Sequence, residues 1–186
     1  MIFLFIFILL INKSIKMRKL TLLLLFIALV YGCNSNDHQT EFKKNTDMAK
    51  SYFKLHEVED AEAMFEYLHP DMEWHMPGYG MPLGGIDEVK AALLGYQDNF
   101  EDLSFTAEYW LPGVNSDTGI PDGSTRVYGN WKATHTASGK KVDLTSYHSF
   151  EFKDGKIFKG GDWFDLGGMM NSLIPEAPVE KDTDSE

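Results

Sequence analysis

Apolar residues recur at helical spacing in the first half of the chain and at strand spacing in the second. Over residues 47–58, Met48, Tyr52, Leu55 and Val58 lie four, three and three positions apart, which puts them on one face of a helix that Asn45 or Thr46 can cap. Glu59-Asp60 breaks the pattern and opens a second short helix with Met64, Phe65 and Leu68 inward, stopped by Pro70. Met72, Trp74 and Met76 then alternate with Asp71, Glu73 and His75, a strand that Pro77-Gly78 ends. A glycine-rich loop over 78–85 leads to a third helix over 87–99, with Val89, Ala92, Leu93 and Tyr96 on one side. After it come only strand signals. Residues 103–111 alternate weakly, 125–135 place Val127, Trp131 and Ala133 on one face, 141–152 place Val142, Leu144, Phe150 and Phe152 on one face, and 156–164 close the set. The strings PDGS, ASGK and KDGK supply hairpin turns between them. Helices first and antiparallel strands after predict an α+β fold, three helices packed on one face of a curved, mainly antiparallel sheet.

The pattern before residue 45 is of another kind. Two apolar stretches, 1–11 and 20–31, are each shorter than the roughly 20 residues a membrane-spanning helix needs. The second has the anatomy of a secretory signal: Met17-Arg18-Lys19 as a positive start, an apolar run over 20–29, and small Gly32 at the cleavage point. The only cysteine, Cys33, comes directly after it, and the string LVYGC resembles the bacterial lipobox, where a peptidase cuts before an acylated cysteine. The expectation is a signal over 1–32 whose true start could be Met17, a lipidated Cys33 with a polar tether over 33–44, a folded domain over 45–173 and an acidic disordered tail over 174–186. Such a protein would stand in the bacterial cell envelope, touching the membrane through its lipid anchor alone.

Charge narrows the partners. Four of the 17 basic residues fall before Cys33 with no acid beside them, so 13 basic residues face 28 acidic ones in the remainder, and the formal −11 becomes about −15 there. A domain so acidic repels phosphate backbones, which argues against nucleic acid, and it favours a neutral small-molecule ligand. One cysteine excludes a disulfide framework and a multi-thiolate zinc site.

The order of elements is that of the cone-shaped nuclear transport factor 2-like fold. The string SYFKLHEVEDAEAMFEYLHPDMEWHMPG followed by LGGIDEVKAAL resembles the SnoaL-like polyketide cyclases and the ketosteroid isomerases, and GKKVDLTSYHSFEFKDGKIFKGGDWFDLGGMM resembles the last hairpin and closing strand of the SnoaL-like branch. The resemblance implies roles residue by residue. Tyr52 falls where the isomerases keep a hydroxyl that donates to a developing enolate oxygen, and His148 where they keep the protonated acid that completes the oxyanion hole. Met76 falls where their proton-shuttling aspartate belongs, and a thioether cannot abstract a proton. Asp162 matches the position where SnoaL-like cyclases carry an acidic general acid/base. A fold that also serves pure binders leaves the reaction open.

Strand parity adds to this. His148 alternates in step with Leu144, Phe150 and Phe152, and Asp162 with Phe158 and Phe164, so both are expected inside the cone. A carboxylate there needs a donor such as His148 or a ligand, and the pair would form an acid/base couple effective near neutral pH. His75, Trp74, Met76, Trp131 and Trp163 are the candidates for lining a ligand site, and His135 is expected at the rim. No pair among His75, His135, His148 and Asp162 has the spacing of a metal motif, so neither metal nor cofactor is expected. Two readings stay open: acid/base chemistry of the cyclase, isomerase or dehydratase kind by His148, Asp162 and Tyr52, or a non-catalytic module that binds a small molecule or forms a homodimer through the open sheet face.

Overall fold

The computed structural model describes residues 35–175. The expected signal over 1–32, the expected lipidated Cys33 with the start of the expected tether, and nearly all of the expected acidic tail lie outside the described residues. The chain divides at Gln39/Thr40, and of the first unit only residues 35–39 are described. The second unit, from Thr40 onward, carries the whole sheet and the cavity on its inner face.

Helix α1 (Ser35–Glu57) starts twelve residues before the expected 47, so the described part of the expected tether is helical. Its inward residues are Asn45, Ala49, Tyr52, Phe53 and His56, with Leu55 packed against the same core, so Tyr52 and Leu55 of the expected face point inward while the stripe is rotated away from Met48 and Val58. Two polar residues explain the rotation. Asn45 Nδ2 donates to the Gly123 carbonyl at 2.8 Å and the Thr46 and Thr125 hydroxyls meet at 3.1 Å, so this end of the helix docks through hydrogen bonds that an apolar periodicity does not register. Val58, just past the helix end, is exposed. The chain then turns through Glu59, whose φ of 59° is left-handed, and Asp60 caps α2 (Ala61–Phe65) by accepting the Ala63 amide at 3.0 Å.

Strand β1 (Leu68–His75) already includes Leu68 and Pro70, and buries Leu68, Met72 and Trp74. Inside the expected loop, Leu83–Gly84 forms a two-residue strand β2. Helix α3 (Ile86–Asn99) buries Val89 and Leu93, and its Glu88 carboxylate accepts the Gly85 amide at 2.9 Å. Long strands β3 (Phe100–Val114), β4 (Pro121–His135) and β5 (Lys141–Lys153) form an antiparallel meander completed by β6 (Lys156–Trp163). The sheet order is β2-β1-β6-β5-β4-β3, with β1 and β6 parallel.

A fourth helix, α4 (Leu166–Leu173), was not expected, because Gly167 and Gly168 weaken its helical propensity. Tertiary contacts hold it. Asp165 accepts the Gly168 amide at 2.8 Å, Met169 and Leu173 are buried, and Lys140 Nζ donates at 2.8 Å to the carbonyls of Ser172 and Ile174.

One irregularity in β6 decides which residues face inward. Glu151 pairs with Lys159 but Phe152 with Ile157, so Phe158 is an extra residue in β6. Ile157 therefore points into the core, Phe158 meets His69 edge-on at 5.1 Å, and the inward phase resumes at Gly160 and Asp162. Gly160 is required there: a Cβ on it would lie 2.0 Å from the Ser149 carbonyl oxygen and 2.7 Å from the Trp74 ring.

Candidate active site

The inner face of the sheet, α1, α3 and α4 line a cavity of about 100 Å³, walled mainly by apolar and aromatic side chains. Its polar lining is five groups: Tyr52 and His56 from α1, Tyr96 from α3, His148 from β5 and Asp162 from β6. Asp162 is the one carboxylate among the lining residues.

His148 and Asp162 are directly opposite on β5 and β6. His148 Nδ1 lies 2.6 Å from Asp162 Oδ1, and the Trp74 indole N–H donates to Asp162 Oδ2 at 2.9 Å. Both carboxylate oxygens thus accept an N–H, the pattern of an ionised acid, and each keeps further lone-pair capacity. On the other side of the ring, Trp131 Nε1 donates to His148 Nε2 at 3.2 Å, with the Ser146 hydroxyl 2.9 Å from the same nitrogen. An indole N–H can only donate, so Nε2 is the acceptor and the imidazole is neutral with its proton on Nδ1, facing Asp162. The His148 side chain is 6% exposed, whereas the Asp162 side chain is 23% exposed. Asp162 is the group open to the cavity; His148 holds it in place.

An aromatic shell fixes this arrangement. Phe53 stacks on Phe105 with centroids 4.5 Å apart and meets His148 edge-on at 5.1 Å. Phe105 reaches across β4 because residue 129 is glycine, where a Cβ would stand 2.4 Å from the Phe105 ring.

The remaining polar groups feel the Asp162 charge. Burial first and that charge second push the Tyr52 and Tyr96 hydroxyls well above the ordinary phenol range, so both stay protonated donors. Burial pushes the His56 imidazole down to about 4, against an upward pull from the Asp162 charge. His56 is therefore neutral at pH 7.

Of the residues expected at the site, Tyr52, Trp74, Met76, Trp131, His148 and Asp162 line the cavity together. His75 and Trp163 do not. Adjacent residues on a strand point to opposite faces, and since Trp74 and Asp162 face inward, His75 and Trp163 stand on the outer face, 5.9 Å apart, in a row continued by Tyr147 and Tyr128. His135 is outside the lining, bonded to Ser138 at 2.8 Å. His56 was missed, although it lies four residues after Tyr52 and so shares its helix face. Among the described residues, no three His, Cys, Asp or Glu side chains are grouped to hold a metal.

Helices on one face of a curved, open sheet, with the polar groups converging inside the cone, define a nuclear transport factor 2-like domain. Residues 49–159 match the SnoaL-like domain, and the chain belongs to that family. No curated protein matches it. Among solved structures it is similar to a nuclear transport factor 2-like protein of unknown function from Burkholderia pseudomallei, at 19% identity and TM-score 0.58, over 71% of this chain and 98% of that one. A protein of Jannaschia sp. CCS1 provisionally named a SnoaL-like polyketide cyclase aligns at 16% identity and TM-score 0.57, over 72% and 94%. An epoxide hydrolase of the LEH-like type from M. tuberculosis aligns at 16% identity and TM-score 0.53, over 70% and 90%. At these identities the likeness is one of fold.

Proposed function

We propose that the domain binds a small, neutral, largely apolar or aromatic carbonyl compound inside the cone and moves a proton on it, as in cyclase, isomerase or dehydratase chemistry. The observation that carries this reading is the single carboxylate of the cavity wall, Asp162, whose two oxygens are each anchored by an N–H donor. In this reading Asp162 takes and returns the proton, while His148 and Trp74 are positioning residues that act through it. Tyr52 donates to the substrate oxygen, and Trp131 and Met76 wall the pocket. Met76 stands where an isomerase's aspartate would be, so the proton is handled from the closing strand instead. The provisional cyclase name of one structural relative and the hydrolase name of another favour reactive over purely binding use of such a cone. The same carboxylate favours a neutral ligand, since it repels anions in an apolar enclosure.

A thermal-shift screen of the purified chain with paired neutral and anionic aromatics, such as acetophenone against benzoate, tests the binding part. At 100 times Kd a bound ligand adds about 2.7 kcal/mol of stability, so the neutral member should raise Tm clearly and the anion should not. Benzoate binding as tightly as its neutral partner would remove the neutral-ligand reading.

We also propose that the chain is a lipoprotein of the bacterial cell envelope, attached through Cys33, on the support of the positive start, apolar run and LVYGC string. Mass spectrometry of the mature protein should find an acylated Cys33 at its N-terminus; a free N-terminus elsewhere overturns this.

A further inference from the structure

We propose that His56 is a hydrogen-bond donor to the substrate's carbonyl oxygen, forming with Tyr52 an oxygen-binding pair on α1. The proposal rests on the reading of Asp162 as the proton-moving group and says where the charge goes when it acts.

Two observations about nitrogen atoms lead to it. His148 has no N–H to offer a ligand, because Nδ1–H is given to Asp162 and Nε2 accepts from Trp131. The donor that the resemblance to the isomerases assigns to position 148 must therefore come from elsewhere. His56 lines the same cavity, and its Nδ1 is 3.2 Å from the Gln97 amide nitrogen, which donates. An imidazole that accepts at Nδ1 carries its proton on Nε2. Among the described residues that N–H has no hydrogen-bond partner, and the Tyr52 hydroxyl has none either. The His56 ring is set edge-on between Trp131, at 5.2 Å, and Tyr96, at 6.2 Å, so its direction is fixed by packing. Burial keeps it neutral, which leaves it a donor without placing a second charge near Asp162.

The chemistry balances without another reactant. Asp162 takes a proton from the carbon next to the carbonyl. The C–H electron pair becomes the new carbon–carbon double bond, and the carbonyl π pair moves onto oxygen, where the His56 and Tyr52 hydrogens meet it. Asp162 then returns the proton to carbon and the carbonyl re-forms. The inferred substrate class is a neutral aromatic or alicyclic ketone with an acidic hydrogen beside the carbonyl.

Acetophenone carrying a ¹³C carbonyl is a suitable probe, with two separate readouts on the full chain: the carbonyl stretch of the bound molecule by infrared difference spectroscopy, and methyl hydrogen exchange in D₂O by NMR. In His56→Phe the bound carbonyl should absorb at higher frequency than in the wild type, and exchange should fall on the order of 100-fold. His56→Gln, which restores an N–H, should recover part of both. Gln97→Leu leaves the cavity wall intact but frees Nδ1, and should raise the frequency part-way; it supplies the test if His56→Phe does not fold. An unchanged stretch and exchange rate in these variants, with exchange lost in Asp162→Asn, overturns the role of His56 and leaves that of Asp162. A stretch that depends on His56, with no exchange in the wild type, supports His56 and sinks the proton-transfer reading. Failure of acetophenone to bind at millimolar concentration overturns the proposal as well.

Discussion

Asp162→Asn should abolish proton exchange on a bound ketone and also cost the fold measurable stability. The side chain keeps its shape but loses its basicity, and removing a positioned general base lowers such rates by about 10²- to 10⁴-fold. The stability effect comes from the donors around it. Trp74 Nε1 and His148 Nδ1 each give a hydrogen to one carboxylate oxygen, at 2.9 and 2.6 Å. An amide has one oxygen to accept and one NH₂ that also donates, so whichever way it is turned one N–H faces another N–H. His148 escapes only by moving its proton to Nε2, where the Trp131 N–H already points at 3.2 Å. The frustrated donor should cost about 1–3 kcal/mol in urea unfolding. Exchange retained within a few-fold of wild type would take Asp162 out of the chemistry. Unchanged stability would mean that the Trp131 contact does not hold the His148 proton on Nδ1.

Alternation and turn chemistry make the fold class and most of the inward residues readable from sequence: β4 and β5 keep period two and the ASGK and KDGK turns fall between strands, whereas PDGS lies inside β4 and the chain reverses over 115–120 instead. For Asp162 the inward position is right but parity is an incomplete reason. Its step with Phe158 does not survive the extra residue in β6, and it faces inward because pairing resumes its phase at Gly160. A bulge leaves no trace in the hydrophobic pattern when both Ile157 and Phe158 are apolar. The face of α1 is hidden for the complementary reason: Asn45 and Thr46 are buried through hydrogen bonds to Gly123 and Thr125, some 78 residues away in sequence, and no local periodicity reports such partners. Helix α4 depends on Lys140 and Asp165 rather than on its own glycine-containing stretch. The roles within the site are the least legible. Sequence makes His148 and Asp162 equal partners, whereas Trp131, seventeen residues before His148, decides that the histidine orients and the carboxylate acts.

Acidification should expose His56. Between pH 6.5 and about 4 the wild type is expected to lose about 3 kcal/mol of stability that His56→Phe does not lose. In the unfolded chain a histidine titrates near 6.5; in the folded chain burial in the cavity wall lowers His56 to about 4, with the Asp162 charge pulling the other way. Within that window the unfolded state binds the extra proton and the folded state does not, so falling pH favours unfolding; above 6.5 both forms are neutral and the contribution is constant. Asp162, His148 and Tyr96, which face the ring across the cavity, are present in both chains, and Gln97 and Trp131, which touch it, do not titrate, so the difference between the two unfolding curves isolates the one imidazole. Urea midpoints at pH 7.5, 5.5 and 4.5 would read it, and parallel curves would show that His56 is not kept neutral by its surroundings. The functional consequence is a matter of charge. A permanent cation at position 56 would compete with substrate for the Asp162 carboxylate as an ion pair across an apolar cavity, while a neutral N–H leaves the base free until a substrate oxygen arrives to accept it.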